Sequence, residues 1–370
     1  MFDIPFLKPK LVVKEDYMDY LKQIDDSRSY SNYGALNTLF EQRLIRELFN
    51  GQGSAVTVNN ATTGLILSIS QLKRRGKYAL MPSFTFAATP LAAMWCGLEP
   101  YFIDVCEKDW CMNEELLEKE INRLGDEVAV VIPYATFGTN LDTTSYEALQ
   151  DRGIPVVIDA AASMGSKLTT HFGQGFTGAV VYSFHATKGF GIGEGGLIYS
   201  SDKEMINKVR QASNFGFNED RESKQMGING KLSEYAAAIG LATLEVFEQK
   251  KLKREQVFGW YMEGLEQLGL MEQGWQHQEV KGSVAYSFLS LLCPETYRNT
   301  HFVERLASSG IQTRTYFSPS CHQQALFQSY PRTLLHITEQ IGRRIINLPL
   351  WEDMNQGNVE TILQGLSHEG

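Results

Sequence analysis

Basic charge is in short supply. Lys and Arg number 34 against 43 Asp and Glu, giving a formal net charge of −9 and a pI near 5.4. A polyanion-binding chain carries a basic face, so nucleic acid is excluded as the main partner. The one basic cluster, Lys250, Lys251, Lys253 and Arg254, is interleaved with Glu245, Glu248 and Glu255 at helical spacing and reads as a solvated helix face. Cysteine is also sparse: five residues, widely scattered, with no CxxC and no His at metal-ligand spacing. That excludes a disulfide framework and a zinc site, and fits free thiols in a reducing cytoplasm. No apolar run reaches the length of a membrane helix, so no membrane partner is expected. The opening MFDIPFLKPK has an acid at Asp3 and no apolar stretch, unlike a signal peptide. There is no GxxxxGK[ST], which removes the phosphate-binding P-loop.

What is present is a 370-residue chain with an ordinary 43% hydrophobic content, enough for a large domain and a smaller one. Apolar runs at Ala55 to Val58, Tyr78 to Met81, Glu99 to Ile103, Val128 to Pro133, Pro155 to Asp159, Gly178 to Ser183 and Gly196 to Ser200 read as strands. Helical patterns separate most of them, including Thr38 to Phe49, Gly64 to Leu72, Thr89 to Cys96, Asn113 to Leu124 and Thr143 to Asp151. Apolar strands alternating with helices predict an α/β fold, with a mostly parallel sheet of these seven strands flanked by helices on both faces. Beyond Gly240 the pattern changes to a long polar helix to about Leu268, a strand at VAYSFLSLLC, a helix at His301 to Ser309, a strand-like GIQTRTYF and a helical end. The expected division is a large domain at 1–245 and a smaller α+β domain at 246–370.

In parallel sheets, ligands gather at the carboxyl ends of the strands. Three loops there carry chemistry. SFHATKGFGIGEGG places Lys188 between two strands; such a lysine is a surface charge, a phosphate clamp or a Schiff-base amine. Its glycines lead into a strand and open no helix, so they are not a dinucleotide fingerprint. Asp159 ends the strand PVVID; it either caps the next segment or pairs with a buried cation, such as a protonated pyridine nitrogen. The loop NNATTG opens a helix, which suits phosphate, although Asn60 or Thr62 as a plain N-cap reads equally well. Ser183 could add a hydroxyl to the same anion. Phe84 and Phe86 alternate, so one is expected to pack inward while the other faces a planar ring.

Taken together, SNYGALNTLFEQRL, NNATTGL, PSFTFAATPLAAMWCGLEPYFIDV, VVIDAAASMG, SFHATKGFGIGEGG, NGKLSEYAAAIGLATLE, GIQTRTYFSP and NLPLWEDM resemble the DegT-like, fold-type I sugar aminotransferases across nearly the whole chain. The resemblance implies pyridoxal 5'-phosphate as cofactor, with Lys188 as the Schiff-base lysine and Asp159 on the pyridinium nitrogen. Phe86 would stack on the ring, and Ala61, Thr62 and Ser183 would hold the phosphate. Asn229 matches a residue that members contribute from the neighbouring subunit, which implies a homodimer with shared active sites. His185, Asn32 and Tyr316 are the implied substrate contacts. The implied reaction moves an amino group from L-glutamate to a keto-sugar, expected to be a nucleotide-linked 4-keto-6-deoxyhexose. Transfer to a cyclitol or other nucleotide-free keto-sugar is the alternative, and a non-catalytic protein retaining the fold is a third reading. One departure stands out: Ala162 occupies a position where most members have Gln or His beside the ring.

Overall fold

The computed structural model describes residues 2–218 and 221–367. Seven strands build the main layer: β1 (Ser54–Val58), β2 (Tyr78–Pro82), β3 (Glu99–Ile103), β4 (Val128–Val131), β5 (Val157–Asp159), β6 (Ala179–Ser183) and β7 (Gly196–Ser200). They form a three-stranded sheet, β3-β2-β4, and a four-stranded sheet, β1-β7-β6-β5. Parallel bridges Val131 to Val156 and Tyr134 to Asp159 join β4 to the β5 edge. Pairing is parallel for β2 with β3, β2 with β4, and β5 with β6, whereas β7 is antiparallel to both β6 and β1. The reversal has a local cause. The β6 to β7 connection holds the lysine loop and no crossover helix, and a parallel return requires one.

Both faces of this layer are buried, and strand alternation divides them. Val156, Ile158, Val180, Tyr182, Leu197 and Tyr199 enter one core, while Val157, Ala179, Val181 and Ile198 enter the other. A third core gathers Val257, Tyr261 and Leu265 with Leu289, Leu291, Ile346, Leu348 and Ile362, and it also takes in Ile4 from the chain's opening. There β9 (Phe288–Leu292) pairs antiparallel with β8 (Gln276–His277) and β10 (Ile345–Pro349). The helix Glu234–Gln267 passes without a break from the main layer to this third core.

Two expectations are corrected. GIQTRTYF forms no strand; it makes single bridges, Ile311 with Ile4 and Arg314 with Asn347, because its partner segment at the chain's opening is itself irregular. The helix expected from Thr38 begins earlier, at Ala35–Leu48. Its first amides, those of Leu36 and Asn37, donate to the two carboxylate oxygens of Glu234 at 2.8 and 3.0 Å. That cap comes from the far side of the sequence, so no local signal announces it.

Candidate active site

A cavity of about 660 Å³ opens where β1, β2, β5 and β6 end. It brings together Ala61, Thr62, Phe86, Asp159, Ser183, His185, Lys188 and Tyr316 from the expected set. Asn32 and Asn229 are exposed and outside its lining.

At its floor, Asp159 is 3% exposed. The Thr89 hydroxyl donates to Asp159 Oδ2 at 2.6 Å, and the Ala161 amide donates to Oδ1 at 3.1 Å. Thr85 Oγ1 lies 2.9 Å behind the Thr89 hydroxyl. Burial pushes the Asp159 carboxyl above the usual carboxylate range, and Thr89, Ala161 and the Lys188 charge pull against it. Lys188 is half-buried, and burial lowers its amine below the ordinary lysine value while Asp159 opposes the shift. Among the described residues no hydrogen-bond acceptor meets that amine. A desolvated lysine beside a buried acid is held nearer its neutral, nucleophilic form than a surface lysine is.

The helix Ala61–Leu72 starts at the cavity wall. The Asn60 side chain accepts from the Thr63 amide at 2.8 Å, so the capping role read for Asn60 is present. The amides of Ala61 and Thr62 have no acceptor among the described residues, leaving an anion-binding end. Gly196 lies against this end: a Cβ there would be 2.9 Å from Ala61 N and 3.0 Å from Tyr182 O. Ser183 Oγ accepts from His185 N at 3.2 Å, which leaves its proton for another partner. These donors and the Asp159 carboxylate fit a phosphorylated pyridine aldehyde by chemistry: anion donors at one end, an acid for a ring cation at the other, and an amine between them.

The two phenylalanines divide as expected, although they lie in a bend beyond the strand Tyr78–Pro82 and not in the strand itself. Phe84 is fully buried against Trp110, while Phe86 is 60% exposed in the cavity. Opposite stands an aromatic wall that the sequence did not disclose, with Phe6, Phe137, Phe288 and Phe317 around Tyr316. Phe137 stacks on Phe317 at 5.5 Å and meets Phe288 edge-on at 5.1 Å. Phe137 adopts a left-handed backbone (φ 55°), followed by Gly138 (φ 96°), where a Cβ would lie 2.6 Å from Ala162 O. Ala162 itself lines the cavity. Thr89 was also missed; its only signal is its four-residue spacing from Thr85. Glu194 lines the cavity too, hidden in a run that reads as glycines.

An amine, an acid and a helix N-terminus meeting at the strand ends of such a sheet describe the class of pyridoxal-phosphate-dependent aminotransferases. A Bacillus cereus ATCC 10987 protein, assigned only provisionally as a PLP-dependent aminotransferase, has a crystal structure that superposes with a TM-score of 0.98 at 50% identity, covering 99% of this chain and 100% of that one. DesI, crystallised with its TDP-sugar product, is 27% identical with a TM-score of 0.87, covering 99% and 93%. Protein Rv3402c of Mycobacterium tuberculosis is 30% identical over 97% of this chain and 88% of its own. The dTDP-4-amino-4,6-dideoxy-D-glucose transaminase of Escherichia coli is 25% identical over 95% of each. Residues 12–367 match the DegT/DnrJ/EryC1/StrS aminotransferase family, and the chain belongs to it. It is an aminotransferase, and the family implies pyridoxal phosphate as its cofactor.

Proposed function

We propose that this enzyme transfers an amino group between L-glutamate and a nucleotide-linked 4-keto-6-deoxyhexose. The supporting observation is the Lys188 amine, desolvated and without an acceptor, facing Asp159 across one cavity. Bound pyridoxal phosphate supplies the carbonyl that takes an amine and the ring that spreads negative charge. The chain supplies the rest. Lys188 would anchor the cofactor, and its amine would hold and move the proton at the substrate carbon. Asp159, kept in place by Thr89 and Ala161, keeps the ring nitrogen protonated. Ala61, Thr62 and Ser183 bind the phosphate, Phe86 covers the ring, and His185 and Tyr316 face the substrate. Asn229, outside this chain's cavity, would serve the partner's site in a homodimer with shared active sites, whereas Asn32, expected as a substrate contact, lies outside the cavity lining. A large domain at 1–245 and a smaller one at 246–370 remain the proposed division.

Borohydride should trap the cofactor on Lys188, detectable by peptide mass spectrometry, and Lys188→Ala should remove both adduct and amino transfer. An adduct elsewhere, or none with cofactor supplied, would sink this reading. One observation favours the nucleotide-free alternative: among the described residues, the cavity lining contains no Lys or Arg besides Lys188 to pair with a diphosphate. Turnover of an aminocyclitol but not of dTDP-4-amino-4,6-dideoxy-D-glucose would decide for it.

A further inference from the structure

Glu194 is a carboxylate without a structural task. Its side chain is 67% exposed within the cavity, and its one ionic neighbour among the described residues is His185, whose Nε2 lies 3.7 Å from Glu194 Oε1. The arrangement is nonetheless built. Ala186 N donates to Gly193 O at 2.8 Å, and Phe184 N donates to Gly195 O at 2.9 Å, so the two stretches run side by side. Gly193 is left-handed (φ 104°), which favours glycine before Glu194, and a Cβ on Gly195 would lie 2.9 Å from Ile192 Cδ1, so the far side is close-packed as well. His185 is fixed as well. The Thr187 amide donates to His185 Nδ1 at 3.3 Å, and Thr187 Oγ1 lies 2.8 Å from the same nitrogen. An amide can only donate, so Nδ1 accepts, and the proton of the neutral ring sits on Nε2, facing Glu194.

One wall of the cavity is aromatic. Asp159 is engaged by Thr89 and Ala161, so Glu194 is the carboxylate of the lining left for a ligand. A carboxylate beside aromatic faces suits a polyhydroxylated ring: its C–H face packs on the aromatics while its hydroxyls donate to the carboxylate. We propose that Glu194 is a specificity-determining acceptor for ring hydroxyls of the sugar or cyclitol substrate, with His185 as the positioning residue that turns it toward them. This rests on the transamination reading above and adds to it the residue that selects the acceptor.

The test runs the reaction in reverse, with dTDP-4-amino-4,6-dideoxy-D-glucose and 2-oxoglutarate, alongside its analogues lacking one ring hydroxyl. Glu194→Gln should raise KM for the amino sugar about tenfold, the weight of a charge-assisted over a neutral hydrogen bond. Calorimetric Kd for the amino sugar should rise in parallel, while the half-reaction with L-glutamate keeps its rate. His185→Asn should show the same KM-weighted loss, smaller in size. One deoxy analogue should be a poor substrate for the wild type and lose nothing further in Glu194→Gln. Unchanged KM and Kd in Glu194→Gln, or an equal loss in the glutamate half-reaction, overturns the proposal while leaving transamination intact. A wild-type enzyme inert with this probe and with aminocyclitols overturns the functional reading and this inference with it.

Discussion

Replacing Thr89 with valine keeps its shape, removes its hydroxyl, and should expose how the buried Asp159 is tolerated. The hydroxyl donates to Asp159 Oδ2 at 2.6 Å in a fully enclosed setting. A hydrogen bond to a charged group contributes about 1.5–3 kcal/mol and a neutral one about 1 kcal/mol. The Asp159 carboxyl is raised by burial in the folded chain. Its contribution to stability is therefore full below the ordinary carboxylate value, about 3.9, and is lost as pH rises through the raised value. Thr89→Val removes a bond that matters most once the carboxyl is ionised, so its cost should grow with pH, from about 1 kcal/mol at pH 4 to about 2–3 kcal/mol at pH 8. Unfolding entropy is roughly 2.1 cal/mol/K per residue, so for a chain of this length the high-pH loss corresponds to a Tm drop of about 3–4 °C. The assay is calorimetry of the cofactor-free enzyme at both pH values, repeated in Asp159→Asn, where no charge can form. There, Thr89→Val should cost about 1 kcal/mol at either pH. A loss independent of pH, or undiminished in the Asp159→Asn protein, would show that Thr89 acts by packing and not by holding a carboxylate.

Three other perturbations test neighbouring parts. Burial lowers the Lys188 amine, so the cofactor-free enzyme loses stability as pH falls through that lowered value; Lys188→Met should raise its Tm at neutral pH, with the gain fading toward the ordinary lysine value near about 10.4. Gly196→Ala would press a Cβ against backbone atoms at the start of the helix Ala61–Leu72, and should weaken pyridoxal phosphate binding at least about tenfold by equilibrium dialysis, equivalent to about 1.4 kcal/mol. His171 is buried, accepts from the Gly165 amide at 3.0 Å, and is pulled down to about 4 by desolvation. Between its unfolded value near about 6.5 and that point, falling pH should remove about 3 kcal/mol of stability. A Tm profile over this range should flatten in His171→Gln, and an unchanged slope would discount the group.

Local chemistry determined much of this protein. Apolar runs broken by helical stretches determined the layered α/β fold, because strands covered on both faces must be apolar throughout. The lysine, the aspartate and the helix-opening Asn-Ala-Thr-Thr loop were readable because each sits where a strand ends, and strand ends are where such sheets place ligands. The division between Phe84 and Phe86 came out as expected, although both lie in the bend beyond Tyr78–Pro82 and not in the strand whose alternation suggested it. What the tertiary structure decided is whatever depends on residues distant in sequence. The Glu234 cap on the helix Ala35–Leu48 spans nearly two hundred residues. The hydroxyl that holds Asp159 comes from Thr89 in the helix Ala88–Trp95, seventy residues away. The wall of Phe6, Phe137, Phe288 and Phe317 gathers four separate segments around one cavity. Glu194 became visible as an acceptor only once Lys188, Asp159 and the aromatic wall were seen to leave it facing the same space. Periodicity records which face of an element is buried, but not which element buries it, and a binding site is made from the second kind of information.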